Sequence, residues 1–375
     1  MRKFTLLSFL AITLLGISCS TKPEKQIPVL DLKDLIIDTL YLEKDTLTKD
    51  LGTTFNYIKR GDEESLITSK QHRFMEYSYP EGKLIRDQFY EEEGPDGIGS
   101  YLPVIFTDDT SVWFVSYQEL IQADQKGKVL ARYDLPADPT DRLAVNYNTM
   151  SGTKAMNING KIIIPDVPFV LKESLLDYEN WLLEFDPKDS SIDYVKFKYP
   201  SKYLQFLDDP TFATYQNGYN KNENLHLISF PADDSLLVIS PNSQKWAYAG
   251  VDDHMDFLVG RTEQQGEYTA FLPNGNTSKF SWVDYDPTAQ VYLREAIIRV
   301  DSETNRDQGK KPLTKLVILD KDFEKIAEVV LPFLTRGFST PDGYYLYIGY
   351  PHSEDEVAFA RLDFSKIYTT DGRDN

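Results

Sequence analysis

Three features of the 375-residue chain predict an all-β fold. Helical periodicity is scarce, short runs of alternating apolar residues follow one another almost without pause, and four such runs recur as a unit. Asp, Asn, Gly and Pro separate the runs, and with 24 Tyr, 21 Phe and 4 Trp the chain has ample apolar surface to bury. The best helical stretches, 116–125 and 171–178, are too short or too polar to carry a domain.

The first unit comprises 55–59, 65–68, 73–77 and 83–89, and the second 103–106, 111–115, 120–124 and 128–134. Gly82-Lys83-Leu84-Ile85 and Gly127-Lys128-Val129-Leu130 hold the same place in the two units, each glycine suiting a turn position with positive φ. Three runs each mark a third unit (161–164, 181–186, 192–198), a fourth (225–230, 235–240, 245–250) and a fifth (290–298, 315–320, 325–331). The sixth has 344–350 and 357–364 and lacks a last run. Second runs thus begin near 65, 111, 161, 225, 290 and 344.

Four strands recurring about every 45–55 residues are the mark of a β-propeller blade, so the expectation is one propeller of six four-stranded blades. The segment 35–42 (LIIDTLYL) belongs to no unit and is expected to close the ring as the missing strand of the last blade. A seventh blade would have to come from 255–280, where 256–259 and 268–272 read as a hairpin. Two β-sandwich domains would require a mid-chain linker, and the sequence shows none.

Residues 1–18 read as an export signal: Arg2 and Lys3 precede a nearly uncharged apolar run too short to cross a bilayer. The run ends at Gly16-Ile17-Ser18-Cys19, and Cys19 is the only cysteine, which excludes an internal disulfide. A small residue before a lone Cys at that point resembles the bacterial lipobox, although Gly16 stands where Leu is usual. The resemblance implies lipidation of Cys19, a polar tether over 19–30 and a propeller over 31–375. The body is held at a membrane by its lipid, since a formal charge of −19 repels anionic headgroups and nucleic acid alike.

With this lipobox, Gly82-Lys83 and the aspartate-rich turns, the segment Tyr90-Glu91-Glu92-Glu93-Gly94-Pro95-Asp96-Gly97-Ile98-Gly99 completes a pattern. The chain resembles the six-bladed propeller lipoproteins of Bacteroides-type bacteria that carry a domain of unknown function. That resemblance implies an exported, cell-envelope location, with the outer membrane as the expected site, and no reaction.

Motifs that carry chemistry are sparse. No nucleophile elbow, Walker loop or Gly-x-Gly-x-x-Gly occurs, and His72, His226, His254 and His352 form no helix-borne zinc pair. Asp252, Asp253, His254 and Asp256 could hold a cation at a loop tip, but the Asp-x-Asp-x-Asp-Gly pattern is missing and a solvated turn is the plainer reading. Trp113, Trp181, Trp246 and Trp282 lie in or beside strands and suit inter-blade packing better than a sugar platform. Arg294, inside an apolar strand, and Arg336, before the last blade, would receive an anionic group if they faced the central funnel; otherwise each pairs with an acid.

These observations favour a non-enzymatic binding module that takes a protein, peptide or glycan and uses no cofactor. The alternative is a hydrolase or lyase, possibly acting on carbohydrate, with acids converging in the funnel.

Overall fold

The computed structural model describes residues 27–44, 51, 55–70, 72–99, 106–107, 111–116, 118–136, 147, 152–299, 312–349 and 355–369. Residues 1–18, read above as an export signal, Cys19 and His352 lie outside them. Two N-terminal strands, β1 (Val29–Asp31) and β2 (Ile36–Glu43), precede six blades. Blade one is β3 (Asn56–Arg60), β4 (Glu63–Lys70), β5 (Arg73–Ser78) and β6 (Leu84–Phe89). Blade two is β7 (Phe106–Thr107), β8 (Ser111–Ser116), β9 (Glu119–Asp124) and β10 (Val129–Asp134). Blade three is β11 (Met156–Ile158), β12 (Lys161–Pro165), β13 (Leu182–Asp186) and β14 (Ser191–Val195). Blade four is β15 (Gln216–Asn220), β16 (Leu225–Ser229), β17 (Ser235–Ser240) and β18 (Ser243–Tyr248).

After blade four, β19 (Arg261–Gln265) and β20 (Tyr268–Leu272) form a separate two-stranded sheet. The stretch 255–278 is therefore an insertion before β21, and its first hairpin strand starts at Arg261, so 256–259 is not a strand. Blade five is β21 (Lys279–Asp286), β22 (Val291–Ile298), β23 (Leu313–Leu319) and β24 (Lys325–Leu331). Blade six has β25 (Gly337–Thr340), β26 (Gly343–Gly349) and β27 (Glu356–Leu362), completed by β2 on β27.

Closure thus takes the expected form. Strand β2 pairs antiparallel with β27, Leu40 opposite Phe359 and Leu42 opposite Val357. A second N-terminal strand was not expected. β1 pairs parallel with β24, so blade five has five strands, and Val29 and Leu30 belong to the fold and not to the tether expected over 19–30. The segment 116–125, the best helical candidate, contains β9 instead, as the run 120–124 of the second unit requires, and its Leu120, Ile121 and Ala123 pack into the core. Only a 3-10 turn, Glu173–Leu175, forms in 171–178.

The core is a ring of apolar layers between blades. One layer joins blades six and one through Leu42, Leu66, Tyr77, Tyr345 and Phe359, and blades one and two share Ile67, Phe74, Val112 and Phe114. Blades two and three meet through Trp113, Leu120, Ile162 and Phe185, and blades five and six through Trp282, Leu293, Leu346 and Leu362. Because each blade is covered on both faces, second strands are buried throughout: β8, β16 and β22 have no exposed position. Outer strands such as β6 and β10 alternate regularly between partly buried and exposed residues. Burial of each large core side chain contributes on the order of 2–3 kcal/mol.

The two Gly-Lys turns share a backbone conformation but not a neighbourhood. Gly82 has φ +70° and Gly127 φ +96°. A Cβ on Gly82 would lie 1.8 Å from the Tyr41 carbonyl oxygen in the closing strand, whereas on Gly127 its nearest neighbour is the Gln88 side-chain amide at 3.0 Å. The Gly82 carbonyl also accepts a bond from the Glu43 N–H at 3.0 Å. Gly127→Ala is expected to cost about 1–2 kcal/mol, the price of a left-handed non-glycine. Gly82→Ala adds a backbone collision worth a further ~1–3 kcal/mol. Urea denaturation of the two variants measures the difference; equal losses would show that the closing strand does not constrain Gly82.

Candidate functional site on the long-loop face

Strand direction alternates across a blade, so connectors from first to second and third to fourth strands collect on one face of the ring. There the connectors are tight, as in 61–62, 125–128, 159–160, 187–190, 241–242 and 341–342, and none is longer than 79–83 or 320–324. The opposite face carries second-to-third and blade-to-blade connectors, among which 90–99, 166–181, 196–215 and 249–278 are described. Strand pairing needs nothing longer than the short turns, so the long loops are what a function has to work with.

Three of these loops fold into a block over blades three and four. The Asp208 N–H donates to the Leu171 carbonyl at 3.0 Å, and Lys172 pairs with Asp208, joining 166–181 to 196–215. Buried Asp209 caps the Thr211 N–H at 2.8 Å with one oxygen and accepts from the Gly260 N–H at 2.8 Å with the other, joining 249–278. Inside lie Trp181, Tyr199, Tyr203, Phe206 and Tyr215, with their hydroxyls satisfied; Tyr203, for example, accepts from the Ala232 N–H at 2.9 Å. Loops on this face nevertheless leave Phe169, Leu204, Val259 and Leu334 exposed. The glycine-rich 90–99 segment is a packed inter-blade loop, its Ile98 buried and its Gly99 carbonyl 2.7 Å from His72 Nε2.

Near the axis the polar groups hold one another. Lys154 Nζ donates to Asp284 at 3.0 Å, bridging the entrance of blade three to the inner strand of blade five. Asn217 exchanges two bonds with the Lys154 backbone, at 2.8 and 2.9 Å. At the blade five–six boundary, Glu295 is wholly buried and accepts from the Thr335 N–H and from Arg336 Nη1, both at 3.1 Å. Burial raises the pKa of Glu295 against the opposing charge of Arg336, and burial lowers that of Arg336 and of Lys279 nearby.

Arg336 is therefore the ion-paired residue that its alternative reading described, with Glu295 as the acid. Arg294 meets neither expectation. It is completely buried and reaches into blade four, where it donates to Ser229 Oγ (2.9 Å) and to the carbonyls of Ala249 (3.2 Å), Phe230 (3.1 Å) and Asp233 (2.7 Å). Its guanidinium also lies 3.7 Å from the Phe280 ring centroid. Burial pulls its pKa down to about 9, so it stays charged at neutral pH, and its donors are directed into blade four.

The loop-tip acids are likewise engaged within the chain. Asp252 pairs with Lys325 and Asp253 with Lys315, while both lysines also bind buried Glu328, at 2.9 and 2.7 Å. Exposed His254 lies 2.9 Å from Asp256. Among the described residues no three His, Cys, Asp or Glu side chains converge as metal ligands. Sequence reasoning missed Glu295, Lys154, Asp284 and Glu328. For Glu295 a signal existed, an acid in an all-apolar strand beside a buried arginine.

Arg336→Leu is expected to cost about 3–5 kcal/mol by leaving the Glu295 carboxylate buried and unpaired, while Glu295→Leu/Arg336→Leu recovers most of it. Urea denaturation of both variants decides the point; a double variant no more stable than the single one would refute the coupling. A pH effect follows from His226, whose imidazole burial pushes down to about 4 and whose Nδ1 has no partner among the described residues. The unfolded imidazole, near 6.5, takes up protons first, so this contribution to stability falls as pH drops from about 6.5 towards 4, by roughly 3 kcal/mol. Melting curves across that window should show a shallower acid slope for His226→Leu than for the native chain; parallel slopes would exclude His226 as the cause.

The family model described as a domain of unknown function, DUF4221, matches residues 31–329. No curated protein matches the chain. Among solved structures, a DUF4221 family member from Bacteroides vulgatus aligns with a TM-score of 0.66 at 15% identity, covering 88% of this chain and 97% of that one. A protein from Bacteroides fragilis described as exported aligns with a TM-score of 0.53 at 10% identity, over 90% of this chain and 99% of its own. Likeness at such identities shows the fold and not the chemistry. The family match spans most of the six-bladed ring, and on it the chain belongs to the DUF4221 family.

Proposed function

We propose that this protein is a lipid-anchored, non-enzymatic binding module of the cell envelope that takes a polypeptide partner on its long-loop face. The observation that carries the reading is the difference between the faces: tight turns on one, and on the other long loops with exposed Phe169, Leu204, Val259 and Leu334. Envelope location is supported by the apolar segment ending at Cys19 and by a family fold shared with a Bacteroides protein described as exported. No helix among the described residues is long and apolar enough to cross a membrane. The enzyme alternative draws little support from the axis, where Glu295 is closed off and both of its oxygens are engaged.

A thermal-shift scan of residues 20–375 against envelope-derived peptides and glycans tests this reading, because a ligand of the folded state raises the melting temperature. The expected result is a peptide-induced shift that Phe169→Ser/Leu204→Ser removes, with the ligand-free melting point nearly unchanged. A glycan that is turned over, with the activity lost in Glu295→Gln, would establish the enzyme instead.

A further inference from the structure

Blade five carries more positive charge towards blade six than the described chain neutralises. Across the β21–β22 pair Lys279 stands opposite Ile297, and across β22–β23 Glu295 stands opposite Leu316. Leu316 packs in the layer between blades five and six, and alternation puts Glu295 and Ile297 on that same face. Lys279 therefore projects from the blade-six face, one diagonal step from Glu295. Arg299 follows the end of β22, its N–H donating to Ser278 Oγ at 3.1 Å. Arg336 arrives from the entrance of blade six and meets Glu295 at 3.1 Å. Three cations thus gather round one acid.

The acid is already engaged. Glu295 accepts from the Thr335 N–H and from Arg336, whose guanidinium lies 6.0 Å from the Trp282 ring centroid. A chain of formal charge −19 has acids to spare, yet among the described residues none pairs with Lys279 or Arg299. Burial lowers the pKa of Lys279, and repulsion by Arg299 and Arg336 lowers it further, against the pull of Glu295. All three cations stay partly exposed. Beside them the 332–336 connector exposes Phe333 (37%) and Leu334 (51%). The group lies on the long-loop face, because β21 and β25 begin there and β22 ends there.

We propose that this mouth between blades five and six receives a carboxylate of the polypeptide partner, with Lys279 and Arg299 on its oxygens and the partner's adjoining apolar side chain on Phe333 and Leu334. The inference rests on the reading of the long-loop face as a polypeptide site. A carboxylate fits better than a polyanion: three cations against one acid leave two positive charges, and the acidic body around them repels a more highly charged group. A chain terminus and an Asp or Glu side chain both supply the chemistry.

The full chain, solubilised in detergent, is titrated against three pentapeptides carrying rhodamine at the N-terminus, and binding is read by fluorescence anisotropy. Gly-Ser-Gly-Leu-Glu amide offers a side-chain carboxylate, Gly-Ser-Gly-Gln-Leu a terminal one, and Gly-Ser-Gly-Leu-Gln amide neither. The expected result is that at least one acid-bearing peptide binds about tenfold tighter than the neutral one, and that Lys279→Met/Arg299→Gln closes the gap. Which of the two binds identifies the source of the carboxylate. Lys279→Met alone should leave the melting temperature unchanged or raise it, because it removes repulsion and keeps an apolar stem. A fall would show that the chain itself satisfies Lys279 and would overturn the site. Equal binding of all three peptides, or of none, overturns the carboxylate contact. The polypeptide reading is judged separately, by the Phe169→Ser/Leu204→Ser comparison.

Discussion

Every blade of this ring is apolar on both faces, so no blade is complete until both neighbours are in place. That constraint accounts for the buried second strands, for the layers that pass from blade to blade, and for the return of the N-terminus to the last blade. A chain that stopped at β27 would expose its edge and the Val357 and Phe359 side chains, which β2 covers with Leu40 and Leu42. Closure also explains why one Gly-Lys turn is more constrained than its repeat. Gly82 touches the closing strand, while Gly127 meets only the flexible end of Gln88.

Blade five is held by charge as well as by apolar contact. Arg294 and Glu295 are consecutive on β22, and successive strand residues point to opposite faces of a sheet. The arginine therefore enters blade four and binds carbonyls there, while the glutamate meets Thr335 and Arg336 at the entrance to blade six. Each buried charge is compensated by hydrogen bonds, which makes the geometry of both junctions specific. The same blade holds the N-terminus through β1 on β24 and binds the following loop through Lys315, Lys325 and Glu328.

The fold was largely legible because repetition averages out local ambiguity. The expected second runs fall on β4, β8, β12, β16, β22 and β26, and the orphan segment 35–42 lies on β2. Inner strands were harder to see. β7 has two residues and β11 three, and in β21 a register shift between Phe280 and Val283 interrupts the alternation. The site was less legible for a different reason. A sequence shows that Arg294 requires partners, but those partners are backbone carbonyls in another blade, a kind of group that every residue carries. Trp246 was grouped with its three buried counterparts, yet its strand is outermost, and only sheet order makes that visible.

Function in this protein has to be sought where the fold leaves side chains uncommitted. Near the axis, where many propellers place a ligand, Lys154, Asp284, Glu295 and Arg336 are engaged with one another or with the backbone. Burial shifts the pKa of Glu295 and Arg336 in opposite senses, towards their neutral forms, while the ion pair opposes both changes. Glu295 itself is fully buried, and through Thr335 and Arg336 it fastens blade five to the entrance of blade six. Uncommitted groups lie instead on the long loops, where Phe169, Leu204, Val259 and Leu334 are exposed.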